Sequence, residues 1–136
     1  MEPPMEQPAS AQRPKEISRG LQFLTLSLTI GLITSIFNLS QRVSGLPLVL
    51  ASLIVVLFFG VGFLFISRIS ARRNWARIVW LVLVLFGLPF AIPANLAEIK
   101  RNVLTGAFSV IVTLLQLIGT YFLFTKNSNE WFRTRK

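Results

Sequence analysis

The chain has 136 residues, of which 53% are hydrophobic and 14% are charged, with a formal net charge of +9 and a mean hydropathy of +0.65. Soluble domains carry about 25% charged residues, so this composition excludes an ordinary soluble domain and indicates a membrane protein. The positive charge does not indicate a nucleic-acid partner, because the basic residues lie in short clusters beside long uncharged runs, where the positive-inside rule places them.

Several kinds of catalytic site lack the residues they need. The chain contains no Cys, His or Asp, and its five acidic residues are glutamates scattered in the tails and one connection. A metal centre, a Ser-His-Asp or Cys-His arrangement and a pair of acid–base carboxylates are therefore not available. We expect no enzymatic activity, no cofactor and no metal.

The first apolar run follows a polar tail. Residues 1–16 are rich in Pro, Glu, Gln and Ala, which predicts a disordered cytoplasmic tail. The first span, about residues 21–39, is uncharged but carries small and polar residues at spacings of four, three and four: Ser27, Gly31, Thr34 and Asn38. This spacing predicts that they share one face of a helix.

Two further apolar runs flank a basic stretch. The second span covers about residues 46–66, and the third about 75–92. Pro89 and Pro93, near the end of the third run, predict a short or kinked helix. Asn95 and Glu98 then have the spacing of a capping box, which favours a short helix within a connection over residues 93–102.

The fourth span, about residues 103–124, carries a second regular polar face. Its members recur at spacings of three and four: Gly106, Ser109, Thr113, Gln116 and Thr120. Together with the four residues of the first span they form what we call the polar seam. Small and hydroxyl-bearing residues let membrane helices approach closely, so the first and fourth helices are predicted to pack together, either within one subunit or across a dimer. Helix packing is the favoured role for the seam, and the lining of a solute pathway is the alternative.

The basic residues predict how the chain crosses the membrane. With four spans, eleven Lys and Arg lie on the side of the two tails and the central connection, and three lie on the other side. The positive-inside rule then places both termini in the cytoplasm. The domain division is a tail (1–16), a four-helix domain (17–126) and a basic tail (127–136), with aromatic interface anchors at Trp75, Trp80 and Trp131.

The central connection carries a basic cluster, which consists of Arg68, Arg72, Arg73 and Arg77. Setting the orientation of the chain is the favoured role for these arginines. Binding of anionic lipid headgroups is the alternative, since cytoplasmic basic clusters attract such lipids.

The stretch Arg73-Asn74-Trp75-Ala76-Arg77-Ile78, a later Gly87-Leu88-Pro89 and a closing Trp131-Phe132 resemble a group of small four-helix bacterial inner-membrane proteins without an assigned biochemical function. The likeness covers residues 72–133. It implies a bacterial inner membrane and the same threading, and it implies no catalytic residues.

The functional expectation is a non-catalytic inner-membrane protein that acts through protein interaction, as an accessory subunit, a complex stabiliser or an immunity-type protector. Its partners would be the lipid bilayer, another membrane protein or further copies of itself. One alternative is an oligomeric transporter or channel for a small solute, although the interiors of the spans lack the ionisable residues that mark ion pathways. A weaker alternative is a membrane organiser that binds anionic lipid.

Overall fold

A computed structural model of the protein describes residues 12–134, which contain five α-helices and no strand. The helices are α1 (Lys15–Ser40), α2 (Leu46–Ser70), α3 (Asn74–Arg101), α4 (Val103–Leu123) and α5 (Lys126–Arg133). The first four are each long and apolar enough to cross a membrane. The structure therefore confirms the prediction of an all-α protein with four helices that are long and apolar enough to span a membrane.

Both ends of the described chain lie at the same end of the bundle as the α2–α3 connection. The guanidinium of Arg13 donates to the carbonyl and the hydroxyl of Ser70, at 3.0 and 2.9 Å. The Asn127 amide donates to Glu16 at 3.0 Å. We call this end, where most of the basic residues lie, the basic end, and we call the opposite end the far end.

The α1–α4 pair is the most extensive helix contact in the bundle, as the sequence predicted. The helices approach closely at two glycines outside the polar seam. A Cβ atom on Gly20 would lie 3.0 Å from the Gly119 carbonyl oxygen, and one on Gly119 would lie 2.9 Å from Leu24. Close approach of this kind is how small residues drive packing between membrane helices.

Helix α3 runs to Arg101 without a break and contains Pro89 and Pro93 within it, so the connection predicted over 93–102 is helical. Neighbouring helices can re-satisfy the backbone groups that proline frees, which is why membrane helices tolerate it. Asn95 and Glu98 do not form a cap. They face other segments instead, as described below, and Asn102 caps α4 by accepting from the Leu104 amide at 2.9 Å.

The turn between α3 and α4 is very tight. A Cβ atom on Gly106 would lie 2.5 Å from the backbone of Ile99. No side chain fits there without moving the α3 backbone. Gly106, a residue of the polar seam, therefore joins α4 to α3 rather than to α1.

The helices at the basic end extend beyond the predicted spans. Helix α1 begins at Lys15, inside the predicted tail, and α2 continues to Ser70. Residues 126–133, most of the predicted basic tail, form α5. Residues 1–11 and 135–136, on which the rest of the tail predictions fall, lie outside the described residues.

Candidate functional site: a lateral cleft between α2 and α3

A cavity of about 420 Å³ opens between α2 and α3. This volume lies within the range of small-molecule pockets in proteins, roughly 300–1,000 Å³. We call it the lateral cleft. It is lined by Ser27, Leu28, Phe58, Phe59, Val61, Gly62, Phe65, Trp80, Leu83, Val84, Phe86, Gly87, Leu88, Ala91, Val112, Thr113, Gln116 and Leu117.

The cleft exists because α2 and α3 pack only loosely against each other, whereas α1 and α3 both pack well on α4. One glycine of the lining marks the gap, because a Cβ atom on Gly87 would meet nothing within 4 Å. The described residues of α2 and α3 are also largely exposed, with phenylalanines such as Phe58 and Phe86 each 72% exposed. In a bilayer this face would meet lipid or a partner.

The lining of the cleft is mostly apolar, and α1 and α4 add a few polar residues to it. These are Ser27 of α1 and Thr113 and Gln116 of α4. Trp80 lines the basic end, where its indole N–H donates to the Thr120 hydroxyl at 3.1 Å. A mostly apolar pocket with a few polar groups is the usual make-up of a site for a hydrophobic ligand.

The polar seam lies largely inside the bundle, and its hydroxyl groups bond to the backbone of their own helices. Ser27 donates to Leu24, Thr34 to Ile30 and Thr120 to Gln116, at 2.7–2.9 Å. Gly31 admits Phe59 of α2, since a Cβ atom there would lie 3.0 Å from its ring. The geometry favours helix packing for these seam residues.

A second, smaller cavity of about 290 Å³ lies at the far end. Its lining includes the seam residues Asn38 and Ser109, together with Asn95 and the ion pair between Arg42 and Glu98. Asn95 also donates to Thr113 at 3.0 Å, and Thr113 lines the lateral cleft. This hydrogen bond thus joins a lining residue of the far-end cavity to a lining residue of the lateral cleft.

The four arginines of the basic cluster divide into two inward and two outward residues. Arg77 is buried at 7% exposure and Arg72 is half-buried, whereas Arg68 and Arg73 are exposed. Arg72 donates to the Trp131 carbonyl at 2.7 Å and to Thr134, and its guanidinium lies 4.6 Å from the Trp131 ring centroid. The cluster is therefore partly a structural element.

Arg77 joins three segments at the basic end. It donates to Asn74 at 2.6 Å, to the Leu123 carbonyl at 3.1 Å and to Asn129 of α5 at 2.8 Å. Its guanidinium also lies 4.3 Å from the Phe132 ring centroid. The carbonyl of Leu123 is one of the orphan groups at a helix C-terminus, so Arg77 both ends α4 and holds α5 in place.

Sequence reasoning missed the contribution of α5. Ser128, Trp131 and Phe132 are its buried residues. Their spacing of three and four is the signal that indicates an amphipathic helix, but it extends over a single repeat within a polar tail. An apolar pattern this short does not predict a helix, as the long apolar runs of the four spans do.

The three tryptophans occupy different environments. Trp75 is 53% exposed and packs edge-on against Phe65, as an interface anchor would. Trp80 and Trp131 are 4% and 9% exposed, so the structure places them inside the protein. Trp80 donates a hydrogen bond to Thr120, and the Arg72 guanidinium packs on the Trp131 ring. These contacts hold the two side chains inside the protein.

Comparison of the chain with protein-family models, with curated proteins and with solved structures returned no match. The functional conclusion below therefore rests on the residues and their geometry.

Proposed function

We propose that this chain is a non-catalytic, four-span protein of a bacterial inner membrane, with both ends in the cytoplasm, that acts by binding a partner at the membrane face of α2 and α3. The lateral cleft is the observation that carries the proposal. This proposal keeps the interaction role expected from the sequence and assigns the contact surface to α2 and α3.

Two features of the bundle support this choice of surface. The seam hydroxyls bond to backbone within their own helices, and α1 is already paired with α4. Helices α2 and α3, by contrast, carry open glycines and a cleft. Exposed glycines allow the close approach of a neighbouring membrane helix, and a cleft admits a side chain or a ligand.

Photo-crosslinking in native membranes tests the proposal. A photoreactive residue at Leu83, which lines the cleft and is 51% exposed, is compared with one at Leu114 of α4, which is 52% exposed. We expect a discrete adduct from Leu83 that is absent from Leu114. Identical adduct patterns from the two sites would contradict a specific binding face.

A second candidate function is the passage of a small solute through the bundle. It is favoured by the hydrogen bond between Asn95 and Thr113, which joins a lining residue of the far-end cavity to a lining residue of the lateral cleft. The test is solute flux into proteoliposomes, with Asn95→Ala to remove this bond. Flux that Asn95→Ala alters would support a pathway, and the absence of flux across a panel of small solutes would count against it.

A further inference from the structure

Two exposed arginines lie beyond the basic end of the lateral cleft. Arg68 follows Phe65, a cleft residue, by three positions on α2, which is about 4.5 Å along the helix axis. Arg73 is the N-cap of α3, and its backbone N–H donates to the Arg68 carbonyl at 3.0 Å. Both residues are exposed and neither lines the cleft, so they lie beyond its basic end, at the adjoining ends of the two helices that form its walls.

No described acidic residue competes for these two arginines through an ion pair, since the ion pair within residues 12–134 joins Arg42 to Glu98 at the far end. Glu16 and Glu130 line a groove beside α5 with Arg13 and Trp131. The neighbouring arginines of the same connection, Arg72 and Arg77, are committed to α5. Arg68 and Arg73 therefore remain available to an anion from outside the chain.

The dimensions of the cleft fit a chain that extends along the membrane normal. Its α3 wall runs from Trp80 to Ala91, which corresponds to roughly 16 Å at 1.5 Å per residue. The lining along this distance is mainly Phe, Leu and Val. The cleft thus offers an apolar channel with two arginines beyond its basic end, which is the complement of a lipid with a hydrocarbon tail and a negative headgroup.

We propose that the lateral cleft binds one anionic phospholipid, with an acyl chain between α2 and α3 and the phosphate headgroup at Arg68 and Arg73. This inference rests on the proposed binding role of the α2–α3 face and names its ligand class. Basic residues at a membrane surface attract anionic lipids individually, and two of them at one site attract the headgroup together.

Native mass spectrometry of the purified protein tests the site. The protein is taken from nanodiscs that contain phosphatidylglycerol and phosphatidylcholine in equal amounts. We expect one retained phosphatidylglycerol per chain. Replacing both arginines, Arg68→Gln with Arg73→Gln, should lower the preference for phosphatidylglycerol by about 25-fold, since each basic residue contributes about five-fold.

Two further variants test the arginine site and the apolar cleft independently. Gly87→Leu places a side chain into the cavity, where a Cβ atom meets nothing within 4 Å, and should reduce retention of both lipids. The control, Lys126→Gln with Arg133→Gln, removes the same charge from exposed positions of α5 and should leave retention unchanged. If the double Arg→Gln variant lost no more preference for phosphatidylglycerol than the control does, the headgroup site would be overturned. If Gly87→Leu left lipid retention unchanged, the cleft site would be overturned.

The outcomes also distinguish this inference from the proposed function. A protein adduct from Leu83 combined with no retained phosphatidylglycerol would overturn the lipid site and leave the binding face in place. Identical adducts from Leu83 and Leu114 would overturn the binding face itself.

Discussion

Arg77 shows how one buried cation can organise an end of the bundle. It is exposed by only 7%, and its guanidinium hydrogen-bonds to α4 and α5. Such a charge is retained only where partners satisfy it, because removing water from an unpaired guanidinium is costly. Here the partners are neutral oxygens and an aromatic ring rather than a carboxylate.

Replacing Arg77 by Met should therefore destabilise the protein. Met keeps most of the length of the side chain but leaves the Leu123 carbonyl and the Asn129 amide without their donor. We expect the free energy of unfolding to fall by about 3 kcal/mol, with faster proteolysis within α5. Reversible unfolding in mixed micelles measures the first effect, and limited proteolysis measures the second.

Arg133→Met is the matched control for this prediction. Arg133 is exposed on α5, so its replacement should change stability by no more than about 0.5 kcal/mol. Equal effects of the two substitutions would show that Arg77 does not hold α5.

At the scale of the helices, the α1–α4 contact depends on the absence of side chains at one crossing. Gly119→Ala places a Cβ atom 2.9 Å from Leu24 and 3.0 Å from the Gly20 carbonyl oxygen. The two helices must move apart, so we expect a loss of about 1–3 kcal/mol. Gly60→Ala, where the Cβ meets nothing within 4 Å, should be neutral or stabilising by up to about 1 kcal/mol. Unfolding in mixed micelles compares the two, and a neutral Gly119→Ala would contradict the close approach.

The four long apolar helices were largely predictable, and their ends were not. Long uncharged runs identify spans because burial in lipid selects for them. The helix ends at the basic end depend on contacts with residues outside the apolar runs. Ser70, the last residue of α2, for example accepts two hydrogen bonds from Arg13. The expectation that α3 is short was wrong, because the helix continues through Pro89 and Pro93 to Arg101. Membrane helices tolerate proline where neighbouring groups can satisfy the freed backbone carbonyls.

The pairing of α1 with α4 was predictable from the polar seam, but the glycines at the crossing were not singled out. Gly20 lies before the predicted first span, and Gly119 lies beside the heptad positions rather than on them. The lateral cleft had no sequence signal, because a gap between helices depends on their separation and not on the period of either helix.

At the scale of the whole molecule, the orientation in the membrane is a prediction that labelling can test. The protein has no Cys, so single cysteines can be introduced without further changes. Ser44→Cys lies in the α1–α2 connection and Lys126→Cys at the basic end, and both positions are exposed. In intact spheroplasts a membrane-impermeant maleimide should label Ser44→Cys but not Lys126→Cys. The reverse pattern would contradict cytoplasmic ends.

The central claim is that the lateral cleft is open to the bilayer and holds a hydrocarbon chain. Trp80 lines this cleft and is 4% exposed. With Trp75→Phe and Trp131→Phe it becomes the sole tryptophan of the chain. The most direct measurement is quenching of its fluorescence by phosphatidylglycerol brominated in the acyl chain. If the cleft holds a lipid tail, brominated lipid should quench Trp80 strongly, and Gly87→Leu should reduce this quenching. Fluorescence of Trp80 that brominated lipid leaves unchanged would contradict the claim.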